Sequence, residues 1–200
     1  MSARIRFADP ERDAAGILAV YAPYIRETAI TFETEVPALP AFAQRVAGIC
    51  AEFPYLVLEV DGELAGYAYA HRQAERAAYA WNAELSIYLA GKWCGKGLGA
   101  PLYRLLESLL AMQGYVNLYG VITASNAGSI RLHERLGYRR IGLHERTGWK
   151  FGRWHDVAWL HKRVREGAPQ AIVPVHMIDS EAVDRAIRET EKVLSEKLKM

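Results

Sequence analysis

The sequence predicts a single α/β domain of the α+β kind, with a mixed, mostly antiparallel central sheet flanked by helices and a helical extension at the C-terminus. Three observations lead there. Short alternating segments outnumber helical ones, and Asp61-Gly62 joins two of them as a tight hairpin. An alternating strand over residues 83–89 also feeds a glycine turn that opens a helix bearing Leu102, Leu105, Leu106, Leu109 and Leu110. The chain has 200 residues, 51% apolar and 24% charged, which are values for one globular domain. A formal net charge of +2 gives no reason to expect nucleic acid as a partner.

The elements follow in order. Residues 4–8 alternate as a short strand, and Asp9 with Pro10 starts a helix carrying Ile17, Leu18, Tyr21 and Ile25 on one side. A second helix, bearing Phe42, Val46 and Ile49, follows Pro37 to Pro40 and stops at Pro54. The Thr31-Phe32-Glu33 loop lies between the two helices. Residues 55–60 and 64–71 form the hairpin, and 82–89 the next strand. After the leucine helix come a strand over 116–123, a short helix over 127–136, and a final strand pair over 138–145 and 156–164. This domain spans residues 1–165. Gly167, Pro169 and Pro174 then mark a linker, after which Ser180 is expected to cap a charged helix with Val183, Ile187, Leu194 and Leu198 on one stripe. The 166–200 extension reads as a packing or oligomer element. The N-terminal residues lack the apolar run of a signal peptide, and no stretch of about eighteen apolar residues could span a membrane, so a cytoplasmic protein is expected. Cys50 and Cys94 fit no metal spacing and no disulfide framework, so neither a metal nor a disulfide is expected.

Gly95-Lys96-Gly97-Leu98-Gly99 carries the chemistry. Three glycines in five residues let the backbone turn tightly and surround an anion with N–H groups at the positive end of a helix. The spacing is neither that of a Walker A loop nor that of the dinucleotide fingerprint, and taken alone the run reads equally well as an ordinary turn.

With Cys94 in front, the segment resembles motif A of the GNAT superfamily of acetyl-CoA-dependent acyltransferases, in which Arg or Gln is followed by two residues, Gly, one residue, and Gly or Ala. Cys94 departs from the Arg or Gln. Residues 126–138, from Asn126 through Leu136-Gly137-Tyr138, resemble the family's second signature, an Asn followed by a short helix that ends in Leu-Gly-Phe or Leu-Gly-Tyr. The likeness narrows to the phosphinothricin N-acetyltransferase group through Thr31-Phe32-Glu33-Thr34, through Tyr79 placed five residues before Glu84, and through Gly152-Arg153-Trp154-His155-Asp156-Val157. It covers residues 3–164.

The resemblance implies the GNAT fold and acetyl-CoA as cosubstrate. It puts the coenzyme A pyrophosphate on the backbone of Cys94, Gly95, Lys96, Gly97, Leu98 and Gly99. A bulky residue at Gly97 or Gly99 should therefore weaken binding more than Cys94→Ala. Ile87, Tyr88 and Leu89 would meet the thioester and pantetheine where two central strands splay, with Asn126 and Ser129 also on the coenzyme. Glu84 matches the general base. His133 stands where many members carry a tyrosine that protonates the leaving thiolate; an imidazolium there could donate, or His133 could polarise Glu84 or only pack under the coenzyme. Phe32, Arg76, Tyr79 and Trp154 match the substrate pocket, with Trp154 and His155 lying across a homodimer interface in relatives.

Each residue also has a plain alternative. Glu84 could be an outward strand charge, Asn126 a helix N-cap, Arg76 a solvated cation and Trp154 a packed strand residue. The chemistry needs a free amine, a stabilised oxyanion and a protonated leaving group. A lysine-type amine is neutral in only about one part in 2,500 at pH 7, whereas an α-amine in a peptide has a pKa near 7.7–8.0, so a base helps in both cases and more so for lysine. The function that the resemblance implies is direct N-acetylation of the α-amine of a small amino acid or analogue, of the phosphinothricin or methionine sulfoximine or sulfone type, with a role in herbicide or antibiotic resistance. The alternatives are acetylation of proteins or peptides and a noncatalytic coenzyme A binding module.

Overall fold

The computed structural model describes residues 1–199. Its described residues form one sheet of seven strands: β1 (Ala3–Phe7), β2 (Tyr55–Val60), β3 (Glu63–Arg72), β4 (Asn82–Leu89), β5 (Asn117–Thr123), β6 (Arg139–Lys150) and β7 (Arg153–Arg163). The order across the sheet is β1-β2-β3-β4-β5-β7-β6, and every neighbouring pair is antiparallel except β4–β5. The helices are α1 (Pro10–Glu27), α2 (Leu39–Glu52), α3 (Gly99–Gln113), α4 (Ala127–Arg135) and α5 (Ser180–Lys197).

Local chemistry accounts for most boundaries. The Asp9 carboxylate accepts the N–H groups of Glu11 and Arg12, and Pro10 occupies the first turn of α1, where no donor is missed. Asp61 and Gly62 both take left-handed conformations, which is the two-residue turn whose twist matches a β-hairpin. Phe151 and Gly152 do the same, so β6 and β7 continue to a tight turn instead of ending at 145 and 156 as the sequence pattern suggested. A register shift between His144 and Gly148 relieves the long ribbon, and the Asp156 carboxylate accepts the Arg146 N–H there at 2.7 Å.

Helices cover both faces of the sheet. On one face Ile17 and Ile25 of α1 and Phe42 and Val46 of α2 pack with Tyr55, Val57 and Tyr67 of β2 and β3. On the other, the five leucines of α3 are buried against Leu56, Leu58, Leu85 and Leu118.

The C-terminal helix joins this second core through buried Val183 and Leu194, with Ile187 and Leu198 packed beside them. Its cap is Asp179, which accepts the Glu181 N–H at 3.0 Å and lies one position before the expected cap, Ser180, which is instead the first helical residue. A carboxylate one residue upstream outcompetes the hydroxyl. The Glu191 carboxylate accepts the Ile5 N–H at 2.7 Å and Ser195 Oγ the Ala3 N–H at 3.2 Å, so α5 covers the edge of β1 that would otherwise be open to pairing. The segment before it is also tied down, since Val173 N–H donates to Gln113 O and Trp81 Nε1 to Gln170 O. No helix among the described residues is long and apolar enough to cross a membrane.

Candidate active site

The site begins where β4 and β5 part. Their parallel pairing covers only Asn82, Ala83 and Glu84 opposite Asn117, Leu118 and Tyr119, while β4 stays paired with β3 as far as Leu89. Ala90 N–H donates to Ala65 O at 2.9 Å, which fixes the phase of that antiparallel ladder. Glu84, Ser86 and Tyr88 therefore turn their backbone groups to β3, and Leu85, Ile87 and Leu89 turn theirs toward β5. Ile87 and Leu89 lie beyond the last β4–β5 pair, so their N–H groups face the gap. Ile30, Ser86, Ile87, Val121, Asn126 and His133 are among the residues lining it. Tyr88 also borders the gap, but its ring packs edge-on against Tyr21 and Tyr24.

Glu84 sits at the point of the splay. Its mostly buried carboxylate lies 3.7 Å from Nε2 of His71, its cross-strand neighbour on β3. Burial raises its pKa above the ordinary carboxylate value, with His71 pulling partly the other way. His71 was not legible from the sequence, because the connection between the two strands is too long to fix their register.

At the other end of β4, Gly95 and Gly97 adopt φ of +77° and +75°, conformations that a Cβ would strain. Gly99 does not share this requirement. It opens α3 with ordinary backbone angles, and a Cβ there would make plain van der Waals contacts with Ile87, Leu132 and Leu89 at 3.6–3.8 Å. No side chain caps α3, which leaves its first N–H groups for a ligand. Cys94 Sγ points back at Leu89 O, 3.6 Å away, and at Tyr24 Oη, 3.5 Å away. The Lys96 ammonium lies 4.6 Å from the centre of the Trp93 ring.

His133 has a different station from the imidazolium donor implied by the resemblance. It is 2% exposed, wedged between the edges of Tyr103 and Tyr138 and over Gly120, where a Cβ would come within 2.7 Å of the ring. Burial lowers its pKa. Nδ1 lies 2.8 Å from Ser129 O, which can only accept, so Nδ1 carries the proton and the Nε2 lone pair receives the Tyr103 hydroxyl at 2.7 Å. The imidazole is neutral, and its one N–H is engaged. Asn126 N-caps α4 by accepting the Ser129 N–H at 3.1 Å through Oδ1, which leaves its Nδ2 as a donor at the cleft.

A family model described as an acetyltransferase (GNAT) domain matches residues 5–159. The chain is 34% identical to a phosphinothricin N-acetyltransferase of Streptomyces viridochromogenes over 167 residues, 83% of this chain and 91% of the relative. The chain belongs to the GNAT acetyltransferase family. This GNAT chain is also 36% identical to an L-methionine sulfoximine/L-methionine sulfone acetyltransferase of Pseudomonas paraeruginosa, over 80% of this chain and 94% of that one. Among solved structures it resembles a GNAT superfamily phosphinothricin acetyltransferase from Sinorhizobium meliloti in complex with AcCoA, with TM-score 0.79, 32% identity, and coverage of 90% of this chain and 97% of that one. The protein is an acetyltransferase, and acetyl-CoA is its donor.

The residues present fit that donor. Two left-handed glycines beside an uncapped helix form a cradle for a diphosphate, and the parted strands offer backbone N–H groups to a thioester arm. Among the described residues no group of three or more His, Cys, Asp or Glu could hold a metal ion.

The expected substrate residues of this GNAT chain are dispersed. Phe32 lies flat on the backbone of Gly148 in β6, where a Cβ would come within 2.2 Å of its ring, and it sits 6.1 Å from the His155 ring. Its loop is held by Tyr21, whose hydroxyl is 2.6 Å from Thr31 Oγ1, and by Lys150, which donates to Thr31 O at 2.8 Å. Arg45 pairs with Glu33 in the same loop at 2.5 Å. Lys150 and Arg45 carried no sequence signal, because only the folded loop brings them near. Arg76 and Tyr79 are exposed at the turn before β4, and Arg76 makes no ion pair among the described residues. Trp154 faces outward, 5.3 Å from Trp149, while buried His155 points inward, since adjacent strand residues take opposite faces. Within one chain Phe32 and His155 therefore lie together on the inner face of the β6–β7 ribbon, and Trp154 lies on its other face.

Proposed function

We propose that this acetyltransferase N-acetylates the α-amine of a small amino acid or analogue, of the phosphinothricin or methionine sulfoximine and sulfone type named for its relatives, by direct transfer. The observation that carries the reading is Glu84, a desolvated carboxylate standing where the β4–β5 pairing ends, on the same strand as Ile87 and Leu89, whose N–H groups face the gap. Desolvation makes it a stronger base than an exposed glutamate, and it takes a proton from the attacking amine as the new C–N bond forms and the C–S bond breaks. The Ile87 or Leu89 N–H supports the carbonyl oxygen as it gains charge. Asn126 Nδ2 and the Ile87–Leu89 backbone hold the coenzyme arm, with Ser129 positioning Asn126. The backbone of residues 94–99 holds the diphosphate. Neutral His133 orients the Tyr103 hydroxyl and keeps its own proton on Ser129, so solvent returns the proton to the departing sulfur.

Phe32 and Tyr79 offer apolar contact to the substrate, and Arg76, free of a carboxylate partner among the described residues, suits the substrate's carboxylate through its planar fork. Residues 1–165 form the catalytic domain and 166–200 its extension, which packs on it through Val183 and Leu194. Exposed Ile141, Trp149, Phe151 and Trp154 on the β6–β7 ribbon support a homodimer that would bring Trp154 to the partner's pocket; Trp149→Glu should then sediment as a monomer. An exposed free Cys94 and an unpaired Cys50 suit a reducing cytoplasm. The function is tested by measuring thiol release from acetyl-CoA against a panel of amino acids, phosphinothricin, methionine sulfoximine and N-terminal peptides. Turnover of peptides with none of the small amines would overturn the proposal.

A further inference from the structure

The glycine loop has no cation of its own aimed at a diphosphate. Cys94 replaces the Arg or Gln of the motif, and its sulfur faces the end of β4. Lys96 is turned onto Trp93. What overlies the loop comes from the far end of the chain. A Cβ built on Gly97 would find the Lys197 side chain as its nearest neighbour, with Cδ and Nζ at 3.6 Å and Cε at 3.9 Å. Lys197 closes α5 and is exposed, and its ammonium makes no ion pair or hydrogen bond among the described residues.

This placement is anchored. Three residues earlier Leu194 is fully buried, and Ser195 and Glu191 hold backbone N–H groups of β1. The lysine stem is thus carried to the loop by a helix that is itself part of the core, so little of the helix remains to be ordered when a ligand arrives. The family match ends at residue 159, before this helix starts.

We infer that Lys197 supplies the positive charge missing at Cys94 and binds the diphosphate of acetyl-CoA. This rests on the glycine loop being the coenzyme A site. The loop N–H groups and the end of α3 provide directional donors, and the ammonium adds a mobile point charge that can follow either phosphate.

The test is calorimetric titration of the full chain with coenzyme A, a readout independent of turnover. Lys197→Met keeps the aliphatic stem and should weaken binding about five- to ten-fold, the range between exposed and well-formed ionic contacts. Lys197→Arg should stay within about two-fold, and the deficit of the Met variant should shrink at high salt. Lys192→Met, an exposed cation on the same helix, should bind as the parent protein does. The same deficit should appear with 3′-dephospho-coenzyme A. Equal affinity of the parent and Lys197→Met would overturn the inference while leaving the coenzyme site intact. A deficit that vanishes with the dephospho ligand would overturn it in favour of the 3′-phosphate. Failure of the parent protein itself to bind would remove the coenzyme site and this inference together.

Discussion

Replacing Glu84 by Gln keeps the shape of the side chain at the mouth of the cleft and removes its ability to accept a proton. General-base assistance contributes about 10²–10⁴-fold, or roughly 2.7–5.5 kcal/mol of barrier. Where in that range Glu84 falls depends on the amine. The α-amine of a free amino acid sits beside its own carboxylate and is more basic than the 7.7–8.0 of a peptide α-amine, so it is mostly protonated at pH 7 and the expected loss in kcat/KM lies above the lower end, about 10³-fold. The surviving activity should rise with unit slope as pH increases toward the amine pKa, because only pre-neutralised amine can react. In the parent protein the acid limb should instead report Glu84, at a pH above the ordinary carboxylate value because burial raises its pKa. The same burial sets the sign for stability. A carboxyl whose folded pKa is raised stabilises the fold at low pH, and that contribution is lost as pH rises through the folded value. Glu84→Gln should therefore melt no lower than the parent at pH 7, and coenzyme A affinity should be unchanged. The assays are thiol release across pH 6–9, calorimetry with coenzyme A and thermal melting. Undiminished kcat, or a loss explained by weaker coenzyme binding or a lower melting temperature, would refute the base assignment.

Further outcomes follow from the geometry. Gly97→Val should weaken coenzyme A binding in calorimetry, because a β-branched residue cannot hold φ +75°, whereas Gly99→Ala should bind within about two-fold. His133→Phe leaves the Tyr103 hydroxyl with only Leu85 O at 3.5 Å as acceptor and should cost about 1–3 kcal/mol in chemical denaturation. Because the folded pKa of His133 is lowered, its contribution is present above its ordinary 6.5 and is lost as pH falls through the folded value, so the gap between parent and variant should narrow in acid. Leu194→Ala removes a fully buried side chain of α5 and should cost about 2–5 kcal/mol, with about 2–4 °C of melting temperature per kcal/mol; an unchanged Tm would show that α5 is not part of the core.

Most of the fold could be read locally. The strand runs of β2 to β5, the leucine spacing of α3 and the Asp61-Gly62 turn each depend on residues a few positions apart, and the structure agrees with them. The exceptions have physical causes. Phe151-Gly152 lacks the Asp or Asn that usually announces a left-handed turn, so the β6–β7 ribbon was read too short. Asp179 and Ser180 are both good caps, and only the helix itself shows which one is used.

The sequence by itself determined the family, the donor, the glycine loop and the strand bearing Glu84, because these lie in contiguous stretches whose spacing is the signal. Only the tertiary structure decided the electrostatic state of the site and what surrounds it. It set His71 beside Glu84 through strand register, sealed His133 as a neutral imidazole through burial, turned Trp154 outward through strand alternation, and carried Lys197 to Gly97. Each of these depends on contacts between residues distant in the chain, and a pKa or a side-chain direction is a property of the packed environment, which no local spacing encodes.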